Sequence, residues 1–266
     1  MPDWDGRGLP PVAQARVDRF ASSGLRTSLL SVPGAVGAEV AGFTAVGEVM
    51  GCVVERVGWA PVYGMTPNQQ VGLYGDALRR GYGVALDRLR LEAKAIGADG
   101  VLGVALSATP LDESVQEFVA LGTAVRADSK QRPGRVFTTE LPGQDVGKLM
   151  QAGWVPADIV TGIAAHTTFD YNLQYQTTVW AGNTEVDAHT RLVTHVRSDA
   201  RGQFRRAVKA TGADGAIVSR MTLSTWPLGE VGVAGVSSVF GTAIGRFHRG
   251  AVATTSALTI LPLNRV

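Results

Sequence analysis

Along the chain, apolar positions switch between a period near 3.6 and short Val-rich runs, and the second half repeats the order of the first. Over 10–21, Val12, Ala15, Val17 and Phe20 stand near helical spacing behind Pro10, which predicts a short helical arm. Ser31 ahead of Val32 and Pro33 predicts a capped helix to about Ala41, and Pro142 opens a counterpart that ends near Ala152. Val-rich β-like runs follow at 43–54 and 154–164, each succeeded by a variable loop. Leu78, Tyr82, Ala85, Leu89, Ala93 and Ile96 then line one stripe of a long helix predicted over 76–96. Val193, Val196, Ala200, Phe204, Val208 and Thr211 do the same over 185–211, with Thr184 as the expected N-cap. Two strands joined by a turn close each half, at 100–109 with 115–126 and at 215–225 with 232–246.

The two halves also share letters. Lys-Ala-Ile-Gly-Ala-Asp-Gly from Lys94 and Lys-Ala-Thr-Gly-Ala-Asp-Gly from Lys209 agree at six of seven positions. The offset between matching residues rises in small steps, from 109 at Gly34 and Gly143 to 111 at Gly42 and Gly153, 115 at Asp99 and Asp214, and 119 at Gly122 and Gly241. Short insertions between shared elements produce such a drift, so the expectation is an α+β chain of two tandem βαββ units, each with a short leading helix. The boundaries expected are an N-terminal helical arm at 1–28, the first repeat at 29–127, a polar linker at 128–135, the second repeat at 136–250 and a C-terminal strand or tail at 251–266. The runs from Val101 to Leu106 and from Phe118 to Val125 are apolar on both faces, so each sheet needs two coverings. One long helix supplies one. The other must come from the second repeat or a neighbouring chain, because an uncovered face of this kind would be a large apolar patch. A closed homo-oligomer is therefore expected.

Composition changes this picture in few places. Among 266 residues, 33 are Gly, and pairs such as Gly51 with Gly162 and Gly97 with Gly212 turn that excess into punctuation of two copies. The 25 basic and 23 acidic residues are too evenly balanced to argue for nucleic acid or an anionic membrane surface as a partner. Cys52 is the sole cysteine, so no intramolecular disulfide or multi-cysteine metal site can form, and a cytoplasmic location fits. Acids near the N-terminus argue against a secretory signal, and no stretch suits a transmembrane helix.

Taken together, the element order, the Val-x-Gly of the first strand, the Gly-Ala-Asp after the long helix and the Gly-Thr-Ala-Val of the closing strand resemble the YbjQ-like family, described as putative heavy-metal-binding. The resemblance covers 43–125 and, less closely, 154–244. It implies a dodecin-like βαββ fold assembled into pentameric rings or pairs of rings, with no established activity, so that five chains would form a pseudo-decameric particle. It carries no ligand motif onto particular residues.

The candidate chemistry is sparse. His166, His189, His195 and His248 include no pair at the i, i+4 spacing that presents two imidazoles to one ion. His166 near Asp170 is the candidate metal pair, for a divalent ion bound through nitrogen and oxygen, although the first repeat has Glu55 at the matching place. His189 reads as a core or interface histidine and Cys52 as a small buried hydrophobe. Gly143 to Lys148 has the wrong spacing for a phosphate-binding loop and lacks the following Ser or Thr. Asp99 and Asp214, the acids repeated in place, read as Asx-type turn residues. Trp59, Trp180 and Trp226 are expected in loops, where they could stack on a flat ligand or anchor an interface. The function expected is that of a non-enzymatic oligomeric scaffold or binding protein with no catalytic residue and no resident cofactor. The alternative is a module holding a metal ion or small planar ligand at subunit junctions.

Overall fold

A computed structural model describes residues 4, 8–24, 26–57, 64–130, 132–177, 182 and 184–247. Trp59, Trp180, His248 and the tail at 251–266 lie outside the described residues. The elements run α1 (Pro11–Ser23), α2 (Val32–Val40), β1 (Phe43–Arg56), α3 (Pro67–Ala95), β2 (Gly100–Asp112) and β3 (Val115–Ala127), then β4 (Phe137–Thr138), α4 (Gly143–Gln151), β5 (Trp154–Phe169), α5 (Leu173–Thr177), α6 (Asp187–Ala210), β6 (Gly215–Leu228) and β7 (Gly232–Arg246).

Local chemistry explains the helix boundaries. Ser31 Oγ accepts from the Gly34 N–H at 3.2 Å and caps α2 as its sequence suggests. α3 begins at Pro67 and not at 76, because Thr66 and Gln69 form a reciprocal capping box that nucleates the helix upstream of its apolar stripe. Thr184 does not cap α6: the helix starts at Asp187 with Val186 in the N-cap position and no side-chain cap. Gly97 and Gly212 end the two long helices with φ of 72° and 75°, a conformation that costs glycine little. The segment from Gly143 to Lys148 lies within α4.

Two antiparallel meanders result. One sheet has the order β1-β3-β2-β4, in which β4 adds two residues parallel to β2, and the other has the order β5-β7-β6. The same hydrogen bonds recur in both. Thr123 Oγ1 accepts from Leu29 N–H at 2.9 Å, and Thr242 Oγ1 from Glu140 N–H at 3.3 Å. Asp99 and Asp214 each accept from a backbone N–H, of Ala127 and Arg246, at 2.8 Å. These two carboxylates therefore tie the start of one strand to the end of its partner, a long-range bond where the sequence suggested a local turn.

The layers stack in the order α6, second sheet, α3, first sheet. α6 covers Val160, Ala164, Val239 and Ala243. α3 covers Val49, Val53, Phe118 and Ala120 of the first sheet and, on its other side, Ile163, Ala165 and Phe240 of the second. The Tyr82 ring stands 5.1 Å edge-on from both Phe118 and Phe240, one from each sheet. Helix and strand approach most closely at glycine: a Cβ on Gly51 would lie 1.8 Å from Ala85 O, and one on Gly162 would lie 2.2 Å from Ala200 O. The linker is fastened across this stack. Arg132 pairs with Asp99 at 3.4 Å, and buried Asp158 accepts from Arg135, from Arg90 at 2.5 Å and from Thr138 at 2.6 Å.

Candidate functional site

The central strands reveal which surface is incomplete. In β7 every residue over 232–243 is buried, as expected of a strand covered on both faces, whereas in β3 half-buried and buried positions alternate over 117–122. Met50, Cys52, Val119 and Leu121 are half-buried and Val54 is exposed on the open face of the first sheet. The matching positions in the second sheet include Ile163, Ala165 and Phe240, which α3 covers. Glu48 and Glu117 also lie on the open face, with Cys52 Sγ donating to Glu117 at 3.1 Å.

At the far end of the stack, α6 presents Thr190, Thr194, Arg197, Arg201 and Arg205 to solvent. The equivalent positions of α3 are Gly75, Arg79, Tyr82, Leu86 and Arg90, several of which meet the second sheet directly. Among the described residues, one end of the stack thus shows a sheet face that no element covers, and the other shows the helix surface that covers the equivalent face within the chain. The edge of β6 matches this asymmetry. Its counterpart β2 pairs with β4, while β6 leaves Val218 and Met221 exposed.

Each candidate residue has a definite environment. His166 near the end of β5 shares a 2.7 Å hydrogen bond with Asp199 of α6, and its ring stands 4.3 Å from that of His195. Asp170 is engaged elsewhere: the Asn172 N–H and Arg191 bond to it at 2.9 and 2.7 Å and hold its carboxyl below the usual carboxylate range. His195 and Asp199 do stand at i, i+4 on α6, a histidine–carboxylate pair that the spacing between histidines alone does not reveal. Burial and the Glu117 carboxylate push the Cys52 thiol up to about 11. His189 lines a cleft of about 260 Å³ with Trp226 and Glu230, and its Nδ1 is buried with no partner among the described residues. Trp226 is in β6 rather than in a loop, packed edge-on 5.7 Å from Tyr74.

Residues 33–128 match the sequence profile of the YbjQ-like family, described as "putative heavy-metal-binding". The chain is also 32% identical to "Encapsulin nanocompartment protein Rv1762c" of Mycobacterium tuberculosis (strain ATCC 25618 / H37Rv), over 96% of its own length and 98% of the relative's. The chain belongs to one family with this relative, and its residues 33–128 are a YbjQ-like domain. The profile matches the first βαββ unit of this YbjQ-like chain, whereas the similarity to the nanocompartment protein runs through both units. No helix among the described residues is long and apolar enough to cross a membrane.

Proposed function

We propose that this YbjQ-like chain is a non-enzymatic structural protein, a duplicated βαββ unit that assembles head to tail with copies of itself as a component of a protein nanocompartment. The observation that carries the reading is the mismatch between the two ends of the stack: the open face of the first sheet on one side, the exposed face of α6 on the other. Placing α6 of one chain on the first sheet of the next repeats the contact that α3 makes with the second sheet. Such a heterologous contact closes into a ring when the rotation permits. Charge favours it, because Arg197, Arg201 and Arg205 would approach Glu48 and Glu117. The full-length similarity to a nanocompartment protein supports the same reading. Five chains, hence ten units, is the ring that the family resemblance implies, and a cytoplasmic particle suits the single cysteine.

Native mass spectrometry and electron microscopy of the purified protein test the reading. The expected result is a closed multi-chain particle that Leu121→Arg or the pair R201E/R205E breaks down to single chains. A wild-type monomer at micromolar concentration, or a two-fold dimer indifferent to these substitutions, overturns it.

A further inference from the structure

His166, His195 and Asp199 are the three described residues whose side-chain donors converge on one point, with Nε2 or Nδ1 and carboxylate oxygens all within 4.8 Å of one another. Asp199 Oδ2 lies 2.7 Å from His166 Nε2 and 3.8 Å from His195 Nε2, and the two imidazoles meet at 71°. The backbone beneath them is fixed. His166 comes from β5, His195 and Asp199 lie one turn apart on α6, and strand and helix are pinned together at Gly162 against Ala200 and Phe204.

The first unit supplies a comparison. Its equivalent positions are Glu55, Arg80 and Val84, and there Arg80 Nε donates to Glu55 at 2.9 Å in an ordinary ion pair. The same strand–helix juncture therefore brings side chains together in both units. In the first, Arg80 pairs with the carboxylate and offers no lone pair to an ion, and Val84 offers none either. In the second, all three side chains can donate electron pairs.

We propose that His166, His195 and Asp199 form a binding site for a divalent first-row transition-metal ion. Two imidazoles and one carboxylate suit zinc, cobalt or nickel and do not suit calcium or magnesium, which take oxygen ligands. Ligand atoms around such an ion stand roughly 3.3 Å apart, given bonds of about 2.1 Å. The 2.7 Å pair must open slightly and the widest separation must close. His195, 64% exposed against 22% for His166, has the freedom to make that adjustment. Three protein ligands leave at least one position for water or an incoming group. The site lies outside the residues that match the family profile, and the first unit lacks it because Glu55, Arg80 and Val84 stand at the equivalent positions.

The test uses tag-free, metal-stripped protein and Co(II) as the probe. One Co(II) per chain is expected, with ligand-field absorption that Zn(II) abolishes by displacement. His195→Ala and Asp199→Asn should weaken binding by at least about tenfold, and Asp170→Asn should leave it unchanged. Zn(II) should raise the thermal midpoint of the wild-type protein and not of the two ligand variants, since an ion that binds only the folded state stabilises it. Both altered side chains are partly solvent-exposed, and circular dichroism verifies that the variants fold. Sub-stoichiometric Co(II) binding, or binding retained by both ligand variants, would show that His166 and Asp199 form a hydrogen-bonded pair only and overturn the site.

Discussion

Cys52 illustrates how neighbours redefine a residue. In sequence it is a lone thiol in a Val-rich strand, and the structure sets it on the open sheet face beside Glu117. Partial burial and that carboxylate both oppose ionisation, and the thiol titrates at about 11. Because the thiolate is the reactive form, alkylation at pH 8 of the R201E/R205E protein, in which the first sheet stays uncovered by a neighbour, should be slower than for a free thiol by on the order of 10²-fold. The rate should climb with pH toward 11, and Glu117→Gln should raise it at pH 8. A rate at pH 8 equal to that of a free thiol would contradict this account. Asp99 and Asp214 teach a related lesson. Their repetition was visible in the sequence, but their hydrogen-bond partners sit 28 and 32 residues downstream, beyond any local reading.

At the scale of elements, periodicity located helices and strands well, and errors gathered at their ends. The apolar stripe of α3 begins near 76, but the helix begins at Pro67, because the capping box of Thr66 and Gln69 is built from polar side chains that leave no mark in an apolar period. Glycine roles divide in a similar way. Gly162 lies where the α6 backbone touches β5, so Gly162→Ala must push the two apart and should destabilise by about 1–3 kcal/mol. Gly72 lies inside α3 with open space where an added methyl would stand, so Gly72→Ala should stabilise by about 0.5–1 kcal/mol. Chemical denaturation of both variants measures the contrast, and equal effects would refute the packing argument. The divergence of α6 from α3 has a comparable cause. Tyr82 and Leu86 face a sheet, while the equivalent Arg197 and Arg201 face solvent within the chain.

At the scale of the whole molecule, the sequence suggested two repeats with a linker, and the structure joins them through one core. The largest apolar cluster contains Val49 and Phe118 of the first sheet, Leu86 and Leu89 of α3, and Ile163 and Phe240 of the second sheet. Unfolding should therefore appear as one cooperative transition in calorimetry, and two resolved transitions would contradict a shared core. Tyr82→Ala, which removes the ring bridging both sheets, should cost about 3–5 kcal/mol and shift that single transition as a whole.

Short-range rules are written in the chain itself: the helical and strand periods, the glycine stops, the repeated βαββ order and the need of each sheet for two coverings. Tertiary packing settles which covering each sheet receives. Among the described residues α3 serves two sheets and α6 serves one, so β5 and β7 of the second sheet are covered on both faces and the first sheet on one. Packing also brings His166 to His195 and Asp199 rather than to Asp170. Both outcomes depend on how strands and helices far apart in the chain are layered, and the packing of glycine against helix backbone that sets this layering leaves no local period to read.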